Sequence, residues 1–378
     1  MLSGSETMYK PSLRAVQLAV DEIKKIACHF FDSAQVSAMT VTPAETGLSG
    51  SQTYILEHLQ TGRRHVLKQL PRDRSIDQIR WTQSLADFVR SYGNTLLPIA
   101  LNHHGRSKRL LYAPSKIAAH SDGTTWQCLV YIEGLPCKTP GSPHISLAIE
   151  ALANFHKKAS MFRMAPYQNL SGWQRRVLQL RSLVKPRREQ RVNSTITGAT
   201  LTKLHGLYKE FSEILRAAKT RETIQNTLSY TMHDVHQPVL RDCRWNHVLF
   251  SDSFDRVTGM IDIDAAGWDD PAVDISRLLG SWHLERPQSE ERLVDLWPDA
   301  FQQYKRITDA RPNFPSRVQV LHDTAIICGI DRWFTWLFLE MRNFPDMEQV
   351  LQRISLLLHA TPAAIRRLEH IPAHSDSI

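Results

Sequence analysis

The chain of 378 residues carries a formal net charge of +8 and a pI near 9.3, and it is long enough for two domains or one two-lobed enzyme with a sizeable core. Cys28, Cys128, Cys137, Cys243 and Cys328 show no CxxC spacing, which argues against a disulfide framework or zinc site and for a reducing compartment. No apolar run approaches the ~20 residues of a membrane span and no signal peptide precedes the first polar segment, so a soluble, cytoplasmic protein without a membrane partner is expected. The basic balance admits nucleic acid, a membrane surface or an anionic ligand, and composition alone does not choose.

Residues 11–31 carry Leu13, Val16, Val20, Ile23, Ala27 and Phe30 at three- and four-residue spacing and are predicted as an amphipathic helix. Strands are expected at 38–41, 53–59 and 65–70, the last two joined by the tight turn Gln60-Thr61-Gly62. In the loop 46–51, Gly47 and Gly50, flanked by Ser49 and Ser51, would let backbone N–H groups approach phosphate oxygens, although the same composition also makes an ordinary hairpin loop. Lys68 is a lone cation in an apolar strand; it is either the strand lysine that pairs nucleotide phosphates or an edge-strand lysine facing solvent. The helix expected at 76–92 contains no Glu, only Asp77, Gln83 and Asp87, so a carboxylate partner for Lys68 is unassigned. Strands are predicted at 96–101, 110–113 and 126–131, then a helix at 144–159 in which His156 reads as a packed structural histidine.

Residues 175–191 hold seven basic residues against the single acid Glu189 and are interrupted by Pro186. They read as a solvated helix face and loop or as an anion-attracting rim; without aromatic interleaving they disfavour nucleic acid as a partner. Further helices are expected at 201–219, 293–307, 317–344 and 348–358. Between them, the apolar runs 248–250 and 257–263 flank the turn-like 251–255 and predict a β-hairpin. Asp242 precedes its first strand and Asp262 is expected inside the end of the second, among Met260, Ile261 and Ile263, where a buried acid needs a partner or a metal.

The stretch 240–276 resembles the aminoglycoside phosphotransferase and choline kinase-like family, whose pattern runs roughly HGDLHPGNILF, then a strand ending in IDFE, then GDPAYDLA. Arg241-Asp242 takes the place of GD, Val248-Leu249-Phe250 of ILF, Ile261-Asp262-Ile263-Asp264 of IDFE, and Asp270-Pro271-Ala272-Val273-Asp274-Ile275 of DPAYDL. Two positions depart from it: the family's metal-binding Asn falls on His247, with Asn246 one residue earlier, and its His before the Asp is missing. Cys128–Gly134 is similar to the family's hinge LLEYLPG, and Leu152–His156 to its LARLH.

The resemblance implies an α+β, two-lobe protein kinase-like fold. The expected parts are an N-terminal helical segment at 1–35, a small β-rich N-lobe with one helix at 36–133, a larger, mainly helical C-lobe at 134–372, and a tail at 373–378. It further implies an ATP-dependent phosphotransferase acting on a hydroxyl of a small molecule, with Mg2+ or Mn2+; a pseudokinase-like nucleotide-binding or scaffolding protein is the alternative. Asp242 would accept or orient the hydroxyl proton. Gly47, Ser49, Gly50, Ser51, Lys68, Val130 and Ile132 would bind the nucleotide, the last two at the adenine edge. Asp262 would hold the metal with His247 or Asn246 and with Asp264, unless Asp264 only caps local backbone; Asp270 would cap a helix and Asp274 would brace the catalytic loop. The strand register favours His247 over Asn246, and the acceptor is not readable from the sequence.

Overall fold

The computed structural model describes residues 13–44, 52–71, 74–102, 116, 118–119, 124–165, 171–185, 196–230, 236–284, 296–344 and 346–371, with the backbone alone at 13–19 and 118–119. The loop 46–51 and the predicted strand 110–113 lie outside these residues. The architecture is α+β, and the chain divides into two compact units, Met1–Ile76 with Pro98–Ile132, and Asp77–Leu97 with Glu133–Ile378.

The first unit is built on an antiparallel sheet of five strands in the order β1-β2-β3-β5-β4: β1 Met39–Pro43, β2 Thr53–His58, β3 Arg64–Leu70, β4 Ala118–Ala119 and β5 Thr125–Val130. The predicted turn joins β2 to β3, and Gly62 takes a φ of 64° there, the left-handed region that glycine enters without a Cβ penalty. Helix α1, Leu13–Ala27, ends four residues before the predicted limit because Phe30 and Phe31 turn into the core; Asp32 then starts α2, Ser33–Ser37, with a reciprocal cap to Gln35. Ile23, Ile26, Phe30, Phe31 and Val36 pack on Leu56, Leu67, Trp126 and Cys128 of the sheet.

The predicted strand 96–101 is not a strand. Pro98 cannot donate to a ladder, and only Ala100 bridges to Leu129, with Ile99 accepting from the Val130 N–H and Leu101 donating to Cys128.

The second unit is mainly helical: α3 Ile76–Ser91, α4 Ser142–Ala159, α5 Gly172–Leu183, α6 Gly198–Arg216, α7 Ala218–Leu228, α8 Ala272–Leu284, α9 Trp297–Ile307, α10 Phe314–Phe334 and α11 Met347–Glu369. Although α3 lies between strands of the sheet in sequence, it buries Trp81, Leu85 and Val89 in one core with Phe155, Leu278 and Trp282. Burial contributes about 1.5–3 kcal/mol for each such side chain, which decides where the helix sits.

Three helix limits correct the sequence reading. The helix predicted at 201–219 breaks at Ala217, whose ψ of 129° leaves the helical region. The one predicted at 317–344 begins at Phe314 and gives way to a wider π turn, Thr335–Leu339. The last runs to Glu369 with Pro362 inside it, Thr361 Oγ1 donating to the Leu357 carbonyl one turn back.

Two small sheets frame the site. Strands β6 Leu135–Pro136, β8 Val248–Phe250 and β9 Val257–Met260 pair in the order β6-β8-β9, while β7 Gln237–Val239 pairs with β10 Gly267–Asp269. Gly134, entering β6, allows a close approach: a Cβ there would stand 2.3 Å from Thr258 Oγ1 and 2.6 Å from the Phe250 carbonyl oxygen.

Candidate active site

The loop 240–247 leaves β7 and enters β8, and its shape is imposed by Asp274 on α8. This carboxylate is fully buried and accepts the N–H groups of Leu240 at 2.7 Å and Arg241 at 2.5 Å. His156 Nε2 stands 3.0 Å from the same carboxylate and its Nδ1 2.8 Å from the Tyr304 hydroxyl, so the histidine is packed inside the scaffold.

Arg241 takes a φ of 65° where the family pattern has glycine. A non-glycine residue there costs roughly 1–2 kcal/mol. The cost is offset by its side chain, which donates to the Trp268 carbonyl at 2.7 Å and lies 3.2 Å from the buried Asp269. Gly267 makes room, since a Cβ there would meet the guanidinium at 2.6 Å. Asp269 also accepts from the Gly172 N–H at the start of α5 and lies 3.7 Å from Arg175, so the first arginine of the basic run has a structural partner. Asp270 accepts from the Ala272 N–H at the start of α8 and pairs with the buried Arg317.

Asp242 emerges from this loop with its side chain 30% exposed. Arg244 Nε donates to its Oδ1 at 3.0 Å and Arg277 Nε, from α8, to the same atom at 2.8 Å. Burial pushes the carboxyl upward, but Arg277 and Arg244 outweigh it and hold the group at about 2. At neutral pH Asp242 is therefore an anion rather than a group that retains its proton. Neither arginine was singled out in the sequence: Arg244 is visible two residues after Asp242, whereas Arg277 reaches the site only because α8 folds back on the loop.

His247 closes the other side. It ends a short 3-10 turn, Trp245–His247, and its Nδ1 lies 2.8 Å from the Asp242 carbonyl oxygen, to which it donates. That bond leaves the Nε2 lone pair 3.6 Å from Asp262 Oδ2. Burial lowers the affinity of His247 for a proton, against the opposing pull of Asp262 and Asp242. Asn246 is exposed, one position off this line.

Asp262 corrects an expectation. β9 ends at Met260, and Asp262 stands beyond it in the left-handed region, at φ 55° and ψ 48°, with its side chain 42% exposed. The apolar neighbours in sequence do not bury it, because the chain turns out of the strand. Asp264, one turn on, is the buried acid of the pair. Among the described residues no three His, Cys, Asp or Glu side chains converge as a metal cluster. Asp262 with His247 offers two donors, which fits a cation that takes its remaining ligands from phosphate and water.

Lys68 lies on β3, the central strand of its sheet, opposite Thr53 and Gln127, which removes the edge-strand reading. Strand alternation puts it on the same face as half-buried Ile55, Val66 and Leu129, while Leu67 and Leu56 enter the core on the other. Of the two expected adenine contacts, the Val130 N–H is already donated to the Ile99 carbonyl at 2.8 Å; Ile132 has no backbone hydrogen bond among the described residues. Gly47, Ser49, Gly50 and Ser51 lie outside the described residues.

The APH phosphotransferase enzyme family profile matches residues 40–309, well over half of the chain. No curated protein matches it. Solved structures share the fold: an amicoumacin kinase, hAmiN, in complex with AMP-PNP, Ca2+ and Ami is 13% identical with a TM-score of 0.60, covering 97% of this chain and 98% of that one. A Plasmodium vivax ethanolamine kinase is 9% identical with a TM-score of 0.57, covering 96% and 93%. An aminoglycoside phosphotransferase from Alicyclobacillus acidocaldarius is 16% identical with a TM-score of 0.52, covering 97% and 99%. The chain belongs to the APH phosphotransferase enzyme family.

Proposed function

We propose that the protein is an ATP-dependent kinase of a small molecule, transferring the γ-phosphoryl group to an alcohol. The observation that carries this reading is the convergence on His247: one ring nitrogen holds the Asp242 loop and the other faces Asp262. The acceptor oxygen would bond to the γ-phosphorus as the bond to the bridging oxygen breaks. The electron pair leaves with ADP, and the hydroxyl proton passes through Asp242 to solvent. Asp242 orients the attacking oxygen through Oδ2, because both arginines occupy Oδ1.

Asp262 and His247 would hold the divalent cation, with the buried Asp264 and the exposed Asn246 as the further candidates. When bound, that cation would neutralise charge on the phosphates. Lys68 would pair phosphate oxygens, the 46–51 loop with Gly47, Ser49, Gly50 and Ser51 would cradle them, and Ile132 with the face beside Val130 would receive the adenine. The fold neighbour in complex with AMP-PNP and Ca2+ supports a nucleotide and a divalent ion.

The test is a thermal-shift titration with ATP and Mg2+ or Mn2+. The wild type should gain stability, as any protein does from a ligand bound only by its folded state, while Lys68→Met and Asp262→Asn should each lose the gain. No gain in the wild type would overturn the reading. The arginine contacts on Asp242 favour one second reading, a nucleotide-binding protein without turnover. It would show the same gain but release no ADP with any acceptor.

A further inference from the structure

The surroundings of Asp242 are cationic. Arg244 and Arg277 each touch it only through Nε, each side chain is 38% exposed, and neither guanidinium makes a further hydrogen bond among the described residues. A third cation, Arg353 on α11, is close enough to act on Arg277. Burial, then Arg244, with Arg353 adding to them, lowers the Arg277 guanidinium to about 10 against the pull of Asp242. Two guanidiniums thus share one carboxylate oxygen.

Arg244 and Arg277 repel each other, and the one carboxylate oxygen they share does not balance both charges. Planar guanidinium forks with unused Nη groups match the paired oxygens of a carboxylate or phosphate. An ammonium-bearing acceptor would meet repulsion at the same place, which is discrimination against it.

We propose, resting on the phosphotransferase reading above, that the acceptor is a small hydroxylated oxyanion, its carboxylate or phosphate taken by Arg277 and Arg244 in the field of Arg353 while Asp242 Oδ2 receives its hydroxyl. The anion would draw the two arginines toward itself and loosen their hold on Asp242, so binding the correct acceptor also frees the group that orients it.

The experiment combines two readouts on the full chain. Melting temperature is followed with inorganic phosphate, glycerate, glycerol 3-phosphate, glycerol and ethanolamine, and ADP release is followed with ATP, Mg2+ or Mn2+ and each alcohol. The oxyanions should raise the melting temperature where glycerol and ethanolamine do not, glycerate against glycerol 3-phosphate distinguishing a carboxylate from a phosphate. Arg277→Met and Arg244→Met should weaken oxyanion binding about tenfold to a hundredfold, the worth of a charged hydrogen bond, while the ATP-driven shift persists. Arg277→Lys should recover part of it. The proposal is overturned if no oxyanion stabilises the protein, if ethanolamine supports faster ADP release than the oxyanions, or if both Met variants bind oxyanions as the wild type does. Oxyanion protection that depends on Arg277, with no ADP released from any alcohol, would support the anion site and overturn the transfer reading instead.

Discussion

Asp274 and Asp242 serve the same loop in opposite ways. Asp274 has no exposed surface, and its oxygens are taken by two backbone N–H groups and a buried histidine. Asp242 is partly exposed, held at one oxygen by two arginines, with no bond to the other oxygen among the described residues. A carboxylate whose lone pairs are satisfied by rigid, buried donors shapes backbone; one whose partners are long, half-exposed side chains with an oxygen to spare is available for chemistry.

The contrast can be broken most severely at Asp274. Asp274→Ala leaves two buried N–H groups and His156 without their acceptor, and the expected loss of stability is on the order of 3–5 kcal/mol by urea denaturation. A loss under about 1 kcal/mol, the range of ordinary point substitutions, would mean that the loop is held by something else. A smaller effect is expected at His247, where an oxygen ligand suits Mg2+ better than an imidazole does. His247→Asn should tighten Mg2+-dependent nucleotide binding by roughly tenfold and move the preference of the native protein away from Mn2+. Equal response of both proteins to both ions would remove His247 from the metal site, and a loss of binding in Asn246→Ala alone would transfer the role to Asn246.

The smallest expected effect lies in the scaffold. His322 is buried beside His283, its Nε2 3.1 Å from the His283 Nδ1, and burial with that neighbour lowers it well below the free value of 6.5. The unfolded chain therefore binds more protons at His322, and its contribution to stability is lost as pH falls below 6.5. Asp323, raised by burial to about 6 against the pull of Arg367, works with the opposite sign, the folded state gaining a proton over the same fall. His322→Gln should therefore flatten the part of the melting-temperature slope below pH 6.5 that runs downward with acid. An unchanged slope would mean that His322 does not titrate on unfolding.

The hairpin was legible because β-branched runs and a turn are local signals, and its pairing of Val248 with Met260 follows from them. The DPAVDI stretch was legible for a similar reason, and Asp274 is the buried brace that it implied. Backbone conformation at Asp262 was not, since apolar neighbours in sequence do not say where a strand lets go. The arginines were missed because Arg277 meets Asp242 through the packing of α8, a long-range contact with no periodicity to announce it. The position of α3 was hidden likewise: its strand neighbours in sequence suggested the sheet, while Trp81 and Leu85 carry it into the helical core.

The reading of Asp242 as the group that orients the acceptor is tested most directly by Asp242→Asn, assayed with whichever alcohol gives the wild type its fastest ADP release. The expected result is a fall in ADP release of about 10²–10⁴-fold, the usual worth of a positioned acid–base group, with the ATP-driven melting shift unchanged. ADP release within a few fold of wild type would contradict it, and so would a fall in melting temperature as large as that of Asp274→Ala, because Asp242 would then belong to the scaffold and not to the chemistry.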